Sequence, residues 1–459
     1  MTRWLEQLIV RLWNRSRSRR ITVARGRGLD LGARLVNGDA IFQRVAIPQN
    51  RRAEHVAVLG KTGTGKSSLL RYLATQDIAS DRGFIYFDLH GDATEFLAAT
   101  VANQERILKK DLSDRLIVIE PADAESSVGL NPLEAESTAD RFVQIAEFAQ
   151  VLRERWHLES FGARTDELLR NSLYVLAENG FTLLELSPLL SHAAFRVACL
   201  KKVSNPEIAQ YFEMRYGQVS EAMRALMREP ILNKTSQFTS DRHFRHIVGQ
   251  EHSTFSVLDA MDQGYWVILN LHKGRLGEQS LTLGSLLLST IKHALFSRKR
   301  RDLFTVYADE IQNLVAFGNG LETMLSESRK FSVSVTSANQ FLDQYPAEMR
   351  AAILAVGSQI FFQLSSLDAQ QIAAALDGGK PLVELLKNLP RRHMVVKSGH
   401  ERWVEAVVPI LDEPKIDPSD LLGRSRARWA RNRNDIEEEI RRRQAIVGSS
   451  SKEALHDWE

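Results

Sequence analysis

Gly60-Lys61-Thr62-Gly63-Thr64-Gly65-Lys66-Ser67 fits the spacing G-x-x-x-x-G-K-[ST] in full, and Ser68 continues it. A loop of this kind can cradle phosphates. Its glycines let backbone N–H groups turn inward, Lys66 brings a point charge to the β and γ oxygens, and Ser67 offers a hydroxyl to Mg²⁺. The N-terminus of the helix after the loop adds the positive end of its dipole. The context that the motif needs is present: the run His55–Leu59 reads as a strand, and Ser68–Leu73 reads as a helix. The alternative, a glycine turn without a ligand, leaves Lys66 with no partner. ATP and Mg²⁺ are therefore the expected cofactors.

A metal-bound triphosphate also needs a hydrophobic strand that ends in acid. Leu303–Ala308 followed by Asp309-Glu310 is the best match. Asp309 would hold the metal through water, and Glu310 would polarise the attacking water as a general base. The plainer alternative is a pair of strand-end carboxylates that cap the next helix. Two more polar residues stand out. Gln340 follows the strand Ser332–Thr336, where it can orient water or sense the terminal phosphate, and Arg329 precedes that strand. Arg329 could bring transition-state charge from a neighbouring subunit. Read alone, each is better explained as an ordinary surface residue. Asp88 and Asp92, after the run Phe84–Phe87, are placed to order water around the metal or to meet loops on the DNA side. His90 lacks a partner at metal-ligand spacing.

These residues need a scaffold. Val56–Leu59, Phe84–Phe87, Leu116–Ile119, Trp266–Leu269, Leu303–Ala308, Ser332–Thr336 and Ile360–Leu364 read as buried parallel strands, with helical patterns between several of them. The spacing predicts an α/β sheet. Met394–Lys397 and Trp403–Val408, either side of Ser398-Gly399-His400, predict an edge hairpin. Between 138 and 258 the strand signal nearly vanishes while Ile145, Phe148, Ala149 and Leu152 keep helical spacing, which predicts an all-α insertion.

At 459 residues the chain has length for roughly three domains. Its 60 Lys+Arg stand against 57 Asp+Glu, a net charge of +3, so any nucleic-acid contact must come from local clusters. Arg298-Lys299-Arg300-Arg301 and the stretch from Lys234 to Arg245 are the candidates; for the first, a solvated helix end is the alternative. The single cysteine, Cys199, cannot form an intrachain disulfide. No run of 18 apolar residues occurs, so no transmembrane helix is expected.

Both ends are basic. Trp4, Leu5, Leu8, Ile9, Leu12 and Trp13 fall on one helical face, with Arg15, Arg17, Arg19 and Arg20 next. This pattern suits a helix on an anionic membrane or membrane partner, or a basic helix packed on its own protein. At the other end, Glu437/Arg441, Glu438/Arg442 and Glu439/Arg443 are i,i+4 pairs. They predict a solvated, self-paired helix; a DNA- or partner-binding tail is the sharper reading. Residues 448–459 read as frayed.

Taken together, the phosphate loop, Asp88-Leu89-His90-Gly91-Asp92, Gly129-Leu130-Asn131-Pro132-Leu133, Ile268–Gly274, Ala308–Asn313 and Leu325–Phe331 running on to Gln340 resemble the HerA/FtsK superfamily of hexameric pumping ATPases. Within it the type IV coupling proteins of conjugation look most similar, over roughly 40–410. The resemblance implies an α/β fold: a RecA-like P-loop motor domain with a parallel-rich central sheet and an inserted all-α domain. Together with the patterns above, it divides the chain into an amphipathic basic N-terminal helix (1–20), a small β-rich lead-in (21–50), the motor's first part (51–137), the insertion (138–258), the motor's second part (259–415) and a basic helical tail (416–459). It implies a homo-hexamer with Arg329 acting in trans, Gln340 coupling hydrolysis to motion, and DNA in the central channel.

The leading expectation is thus a DNA-translocating ATPase that feeds a conjugative secretion channel, with a relaxase and a membrane or channel partner. It would be cytoplasmic, peripheral at the inner face of the cell membrane. The alternatives are a soluble HerA-type DNA-processing or defence motor, and an ATP-switched assembly protein that never touches DNA.

Overall fold

The structure, a computed structural model, describes residues 28–134, 138–315, 321–399 and 401–456. The expected N-terminal amphipathic helix lies outside these residues. Short runs rich in Val, Ile, Leu and Phe form strands because β-branched and aromatic side chains pack well on a pleated surface. In chain order they are β1 (Leu29–Val36), β2 (Asp39–Ile47), β3 (Val56–Leu59), β4 (Phe84–Asp88), β5 (Leu116–Ile119), β6 (Ser126–Val128), β7 (Trp266–Asn270), β8 (Phe304–Asp309), β9 (Val333–Asn339), β10 (Ser358–Phe361), β11 (His393–Ser398), β12 (Val404–Val407) and β13 (Ala430–Asn432).

Eleven of them make one sheet, in the order β2-β1-β12-β11-β10-β3-β9-β8-β4-β7-β5. From β10 to β5 every pairing is parallel. The fold is therefore α/β with a large, mostly parallel central sheet of the RecA-like kind. The strands β3, β4, β7 and β8 are buried along most or all of their length, as parallel strands covered on both faces must be. One expectation needs correction. The hairpin β11–β12 forms, but not at the edge: β1 pairs with β12, and the weakly signalled lead-in supplies the outer strands.

Five of the helices carry the site and its surroundings: α1 (Lys66–Ala79), α2 (Thr94–Leu108), α3 (Gln279–Ser297), α4 (Ser419–Trp429) and α5 (Arg433–His456). Between β6 and β7, the described residues from 138 to 263 hold helices and no strand, including Thr138–Arg155, Ala163–Glu178 and Glu221–Thr239. Asn205 caps the helix that starts at Pro206, its side chain accepting from Glu207 N–H at 3.0 Å. This helical segment does not stand apart. One apolar cluster runs from Leu152, Leu169 and Phe238 through to Ile85, Leu269 and Val306 on the sheet.

The C-terminal segment departs from the expected solvated tail. Glu437–Arg441 and Glu438–Arg442 do pair along α5. Yet β13 pairs antiparallel with β6, and Ile436 and Ile440 pack on Leu184. Arg433 is buried, donating to the Pro121, Ser126 and Arg242 carbonyls. Arg443 is buried against Glu185. The tail is strapped onto the body of the protein.

A second buried pair locks α1 to β8. Arg52 donates to both Asp77 carboxylate oxygens, at 2.6 and 2.7 Å, and Tyr307 donates to the same carboxylate at 2.7 Å. Both charges are fully buried. Burial would lower the guanidinium pKa, but the Asp77 carboxylate outweighs it and holds the pKa above its ordinary value. Removing one partner strands the other, which typically costs about 3–5 kcal/mol. Arg52→Ala should therefore lower the midpoint of urea unfolding sharply. A midpoint unchanged within error would mean that the pair contributes nothing.

Candidate nucleotide site

β3 ends at Leu59 between two neighbours whose carboxyl ends anchor the phosphate loop. Gly60 N–H donates to the Asn339 carbonyl at 3.2 Å, and Lys61 N–H to the Gln363 carbonyl at 2.9 Å. A side chain at Gly60 would bring its Cβ within 2.6 Å of Phe362 Cβ. Gly65 sits at φ 121°, and Arg392 N–H braces the neighbouring Thr64 carbonyl at 2.7 Å. The first bond of α1 runs from Leu69 N–H to the Gly65 carbonyl at 2.9 Å. That leaves the amides of Lys66, Ser67 and Ser68 without an acceptor inside the helix, which suits an anion.

Lys66 Nζ donates to the Gly60 and Lys61 carbonyls, at 2.6 and 3.1 Å. Burial lowers its pKa, and the nearby Asp309 and Glu310 carboxylates oppose that. Thr64 Oγ1 closes the loop on the Lys61 carbonyl at 2.7 Å, while Thr62 and Gly63 are exposed at its tip.

Asp309 ends β8, and Ser67 Oγ donates to its Oδ2 at 2.5 Å. Burial raises the Asp309 pKa, opposed by the Ser67 bond and by Lys66. A hydroxyl and a carboxylate side by side are hard oxygen donors of the kind Mg²⁺ takes from a protein, with phosphates and water as its other ligands. The donor set fits the metal.

Glu310 comes next in the left-handed region, at φ 53° and ψ 46°. Asp309 faces Ala338 in the parallel register, so Gln340, two residues further on and just past the end of β9, emerges beside Glu310. Gln340 Nε2 donates to Glu310 Oε1 at 2.5 Å, and Asn313 Nδ2 donates to Oε2 at 2.8 Å. The carboxyl edge of the sheet thus gathers Lys66, Ser67, Asp309, Glu310 and Gln340.

Arg329 lies elsewhere. It sits in the single turn Ser328–Phe331 before β9, at the amino edge, with 65% of its side chain exposed. Its partner is Glu54 at 3.0 Å, just before β3. Beneath it, buried His55 accepts from Val335 N–H at 3.0 Å through Nδ1. Burial, then the charge of Arg329, lower the His55 pKa to about 4, against a backbone bond at Leu325 that raises it.

Three sequence-based expectations change. Asp88 is committed to its own turn, accepting from the amides of Gly91, Ala93 and Thr94 and from the Thr94 hydroxyl. It fixes the start of α2 and has little capacity left for metal water. Arg298 is buried and bonded to Asp262 and to the Met261, Phe331 and Asp302 carbonyls, so it is no solvated helix end and cannot reach DNA. Arg245 is taken up by Glu437 and Gln444 of α5. Asn313 and His55 escape a reading by spacing, since neither side chain forms a recognisable pattern with its partner.

The family model for the central domain of the helicase HerA matches residues 34–291, more than half of the chain. The chain belongs to the HerA central-domain family. A search of curated proteins finds no match. Among solved structures, the bacterial conjugative coupling protein TrwBdeltaN70 is similar at 16% identity and TM-score 0.56, over 84% of this chain and 90% of that one. TrwB in complex with ADP and Mg²⁺ matches at 16% and 0.55, over 86% and 98%. VirB4 of Thermoanaerobacter pseudethanolicus matches at 15% and 0.53, over 84% and 97%. At these identities the likeness is one of fold. Family and fold together make the chain a HerA/FtsK-type P-loop ATPase.

Proposed function

We propose that the protein is an ATP-driven, DNA-translocating motor that works as a ring, similar to conjugative coupling proteins. The observation that carries this reading is the division of the machinery between two sheet edges. Lys66, Ser67, Asp309, Glu310 and Gln340 share the carboxyl edge, while exposed Arg329 sits at the amino edge. A subunit arranged this way holds its own phosphates and offers its arginine to a neighbour.

Lys66 and the amides of α1 bind the phosphates, and Ser67 with Asp309 would hold Mg²⁺. That ion, when bound, neutralises charge on the phosphates. Glu310 takes the proton of the attacking water, with Gln340 aligning the carboxylate. Placing DNA in the ring follows the family and the TrwB-like fold. With Arg298 and Arg245 occupied elsewhere, contact with DNA rests on other cations and on backbone phosphates, without base reading.

The test is the ATPase rate with no DNA, single-stranded DNA and double-stranded DNA across a salt series. Stimulation is expected, with log K falling against log salt by about 0.7–0.9 per phosphate contact. A rate indifferent to every nucleic acid would favour an ATP-switched assembly protein. A second reading, a HerA-type DNA-processing motor, is supported by the HerA family match itself. A nuclease that co-purifies and depends on ATP would select it over delivery to a secretion channel.

A further inference from the structure

Both oxygens of the Glu310 carboxylate are held by side-chain amides, and the two holders have different origins. Gln340 directly follows β9, one residue past its last residue, Asn339. Asn313 belongs to the single turn Ile311–Asn313 after β8. The backbone closes that turn unaided, since Asn313 N–H donates to the Glu310 carbonyl at 2.8 Å. The Asn313 side chain is therefore not needed to form the turn, and its Nδ2 goes to Glu310 Oε2 at 2.8 Å. Glu310 itself sits in the left-handed region, which is disfavoured for a residue other than glycine.

The turn is pinned from two other elements. Ser285 Oγ of α3 donates to the Leu314 carbonyl at 2.6 Å. Arg155 Nη2, at the end of the insertion helix Thr138–Arg155, donates to the Asn313 carbonyl at 2.5 Å. Arg155 is half-buried, and its Nε is buried with no hydrogen-bond partner. Among the described residues no carboxylate forms an ion pair with it. The directed bond from this cation thus goes to one backbone oxygen, on the residue whose side chain holds Glu310.

We propose that Asn313 is a positioning residue for Glu310, and that Arg155 holds Asn313 in register, linking the helical insertion to the hydrolytic base. The inference rests on Glu310 being that base. Two of the four lone-pair sites of the carboxylate stay available to water while Gln340 and Asn313 occupy the others. Any partner that shifts the end of Thr138–Arg155 would loosen one holder and slow hydrolysis without touching the phosphates.

The experiment compares Asn313→Ala, Asn313→Asp, Arg155→Met and Glu310→Gln in the full chain, reading kcat, KM and equilibrium nucleotide affinity. A hydrogen bond to a charged group is typically worth 1.5–3 kcal/mol, or about 10–100-fold in rate. Both Asn313 variants should lose about that much kcat, with KM and affinity held within about twofold. Asn313→Asp keeps the size of the side chain, so its loss cannot be blamed on a hole. Its deficit relative to wild type should shrink as pH falls, because the protonated acid donates again; the Ala deficit should not. Arg155→Met should lower kcat, and should add nothing when combined with Asn313→Ala, because the two act in series.

Wild-type kcat in either Asn313 variant, or a fall in affinity that matches the fall in kcat, would overturn the role of Asn313. Additive losses in the double variant, or an unaffected Arg155→Met, would overturn the link to the insertion. Should Glu310→Gln itself hydrolyse ATP at the wild-type rate, the reading of Glu310 falls first, and this inference with it.

Discussion

Glu310→Gln should bind ATP with near wild-type affinity and hydrolyse it about 10²–10⁴-fold more slowly, whereas Lys66→Ala should fail to bind it. The difference arises from where each group acts. Lys66 is buried at the base of the loop, with Nζ held among loop carbonyls and near two carboxylates. In the proposed site its charge would meet phosphates in the ground state, so its loss should fall on affinity. Glu310 lies past the end of β8, and its two holders, Gln340 and Asn313, both lie outside the phosphate loop. As the proposed base it would act on water as the proton leaves, and a positioned general base is worth about 10²–10⁴-fold. Nucleotide titration combined with single-turnover hydrolysis separates the two effects. A Glu310→Gln protein that turns over at the wild-type rate would place the base elsewhere.

What the sequence discloses about this site is what is local in the chain. The phosphate loop is contiguous with the strand before it and the helix after it, so spacing alone places Lys66 and Ser67. Asp309 and Glu310 are legible because an apolar run ends in acid, and Gln340 because it comes after the next strand. The order of strands is not legible: β3 and β4 are consecutive in sequence, yet β9 and β8 lie between them. Nor are contacts between distant segments. Arg155 meets Asn313 across 158 positions, and His55 meets Val335 across 280. No periodicity encodes such pairs.

The C-terminal tail misleads for the same reason. Its i,i+4 pairs are visible locally and suggest a self-sufficient helix. The contacts that hold it, Arg443 to Glu185 and Arg433 to carbonyls near β6, span 258 positions and more. The same limit explains Arg298. Four cations in a row look solvated until Asp262 and three carbonyls from separate segments converge on the first.

Arg329→Ala should bind ATP normally and, in the assembled ring, hydrolyse it about 10³–10⁵-fold more slowly, the range of arginine fingers supplied in trans. The geometry bars a role in its own subunit. β9 separates Arg329 from Gln340 and spans about 23 Å at roughly 3.3 Å per residue. An exposed guanidinium at the amino edge would act on a phosphate site only if a neighbour brought one to it. Its partner Glu54 is half-buried but the guanidinium is exposed to water, and ion pairs open to solvent are worth about 0–1 kcal/mol, little enough for a phosphate to outcompete. Glu54→Gln therefore serves as a control: it breaks the same pair but keeps the cation, and should retain turnover. Mixing decides the matter. In rings of Arg329→Ala and Lys66→Ala subunits, some interfaces join an intact Lys66 to an intact neighbouring Arg329. Those interfaces should hydrolyse ATP although each pure variant does not. Confirmed co-assembly that stays inactive at every ratio would remove the support for action in trans, and a monomer with full turnover would reject it. Because a finger of this kind completes the site only at a formed interface, it would also tie hydrolysis to a closed ring, so that a subunit not yet assembled would not consume ATP.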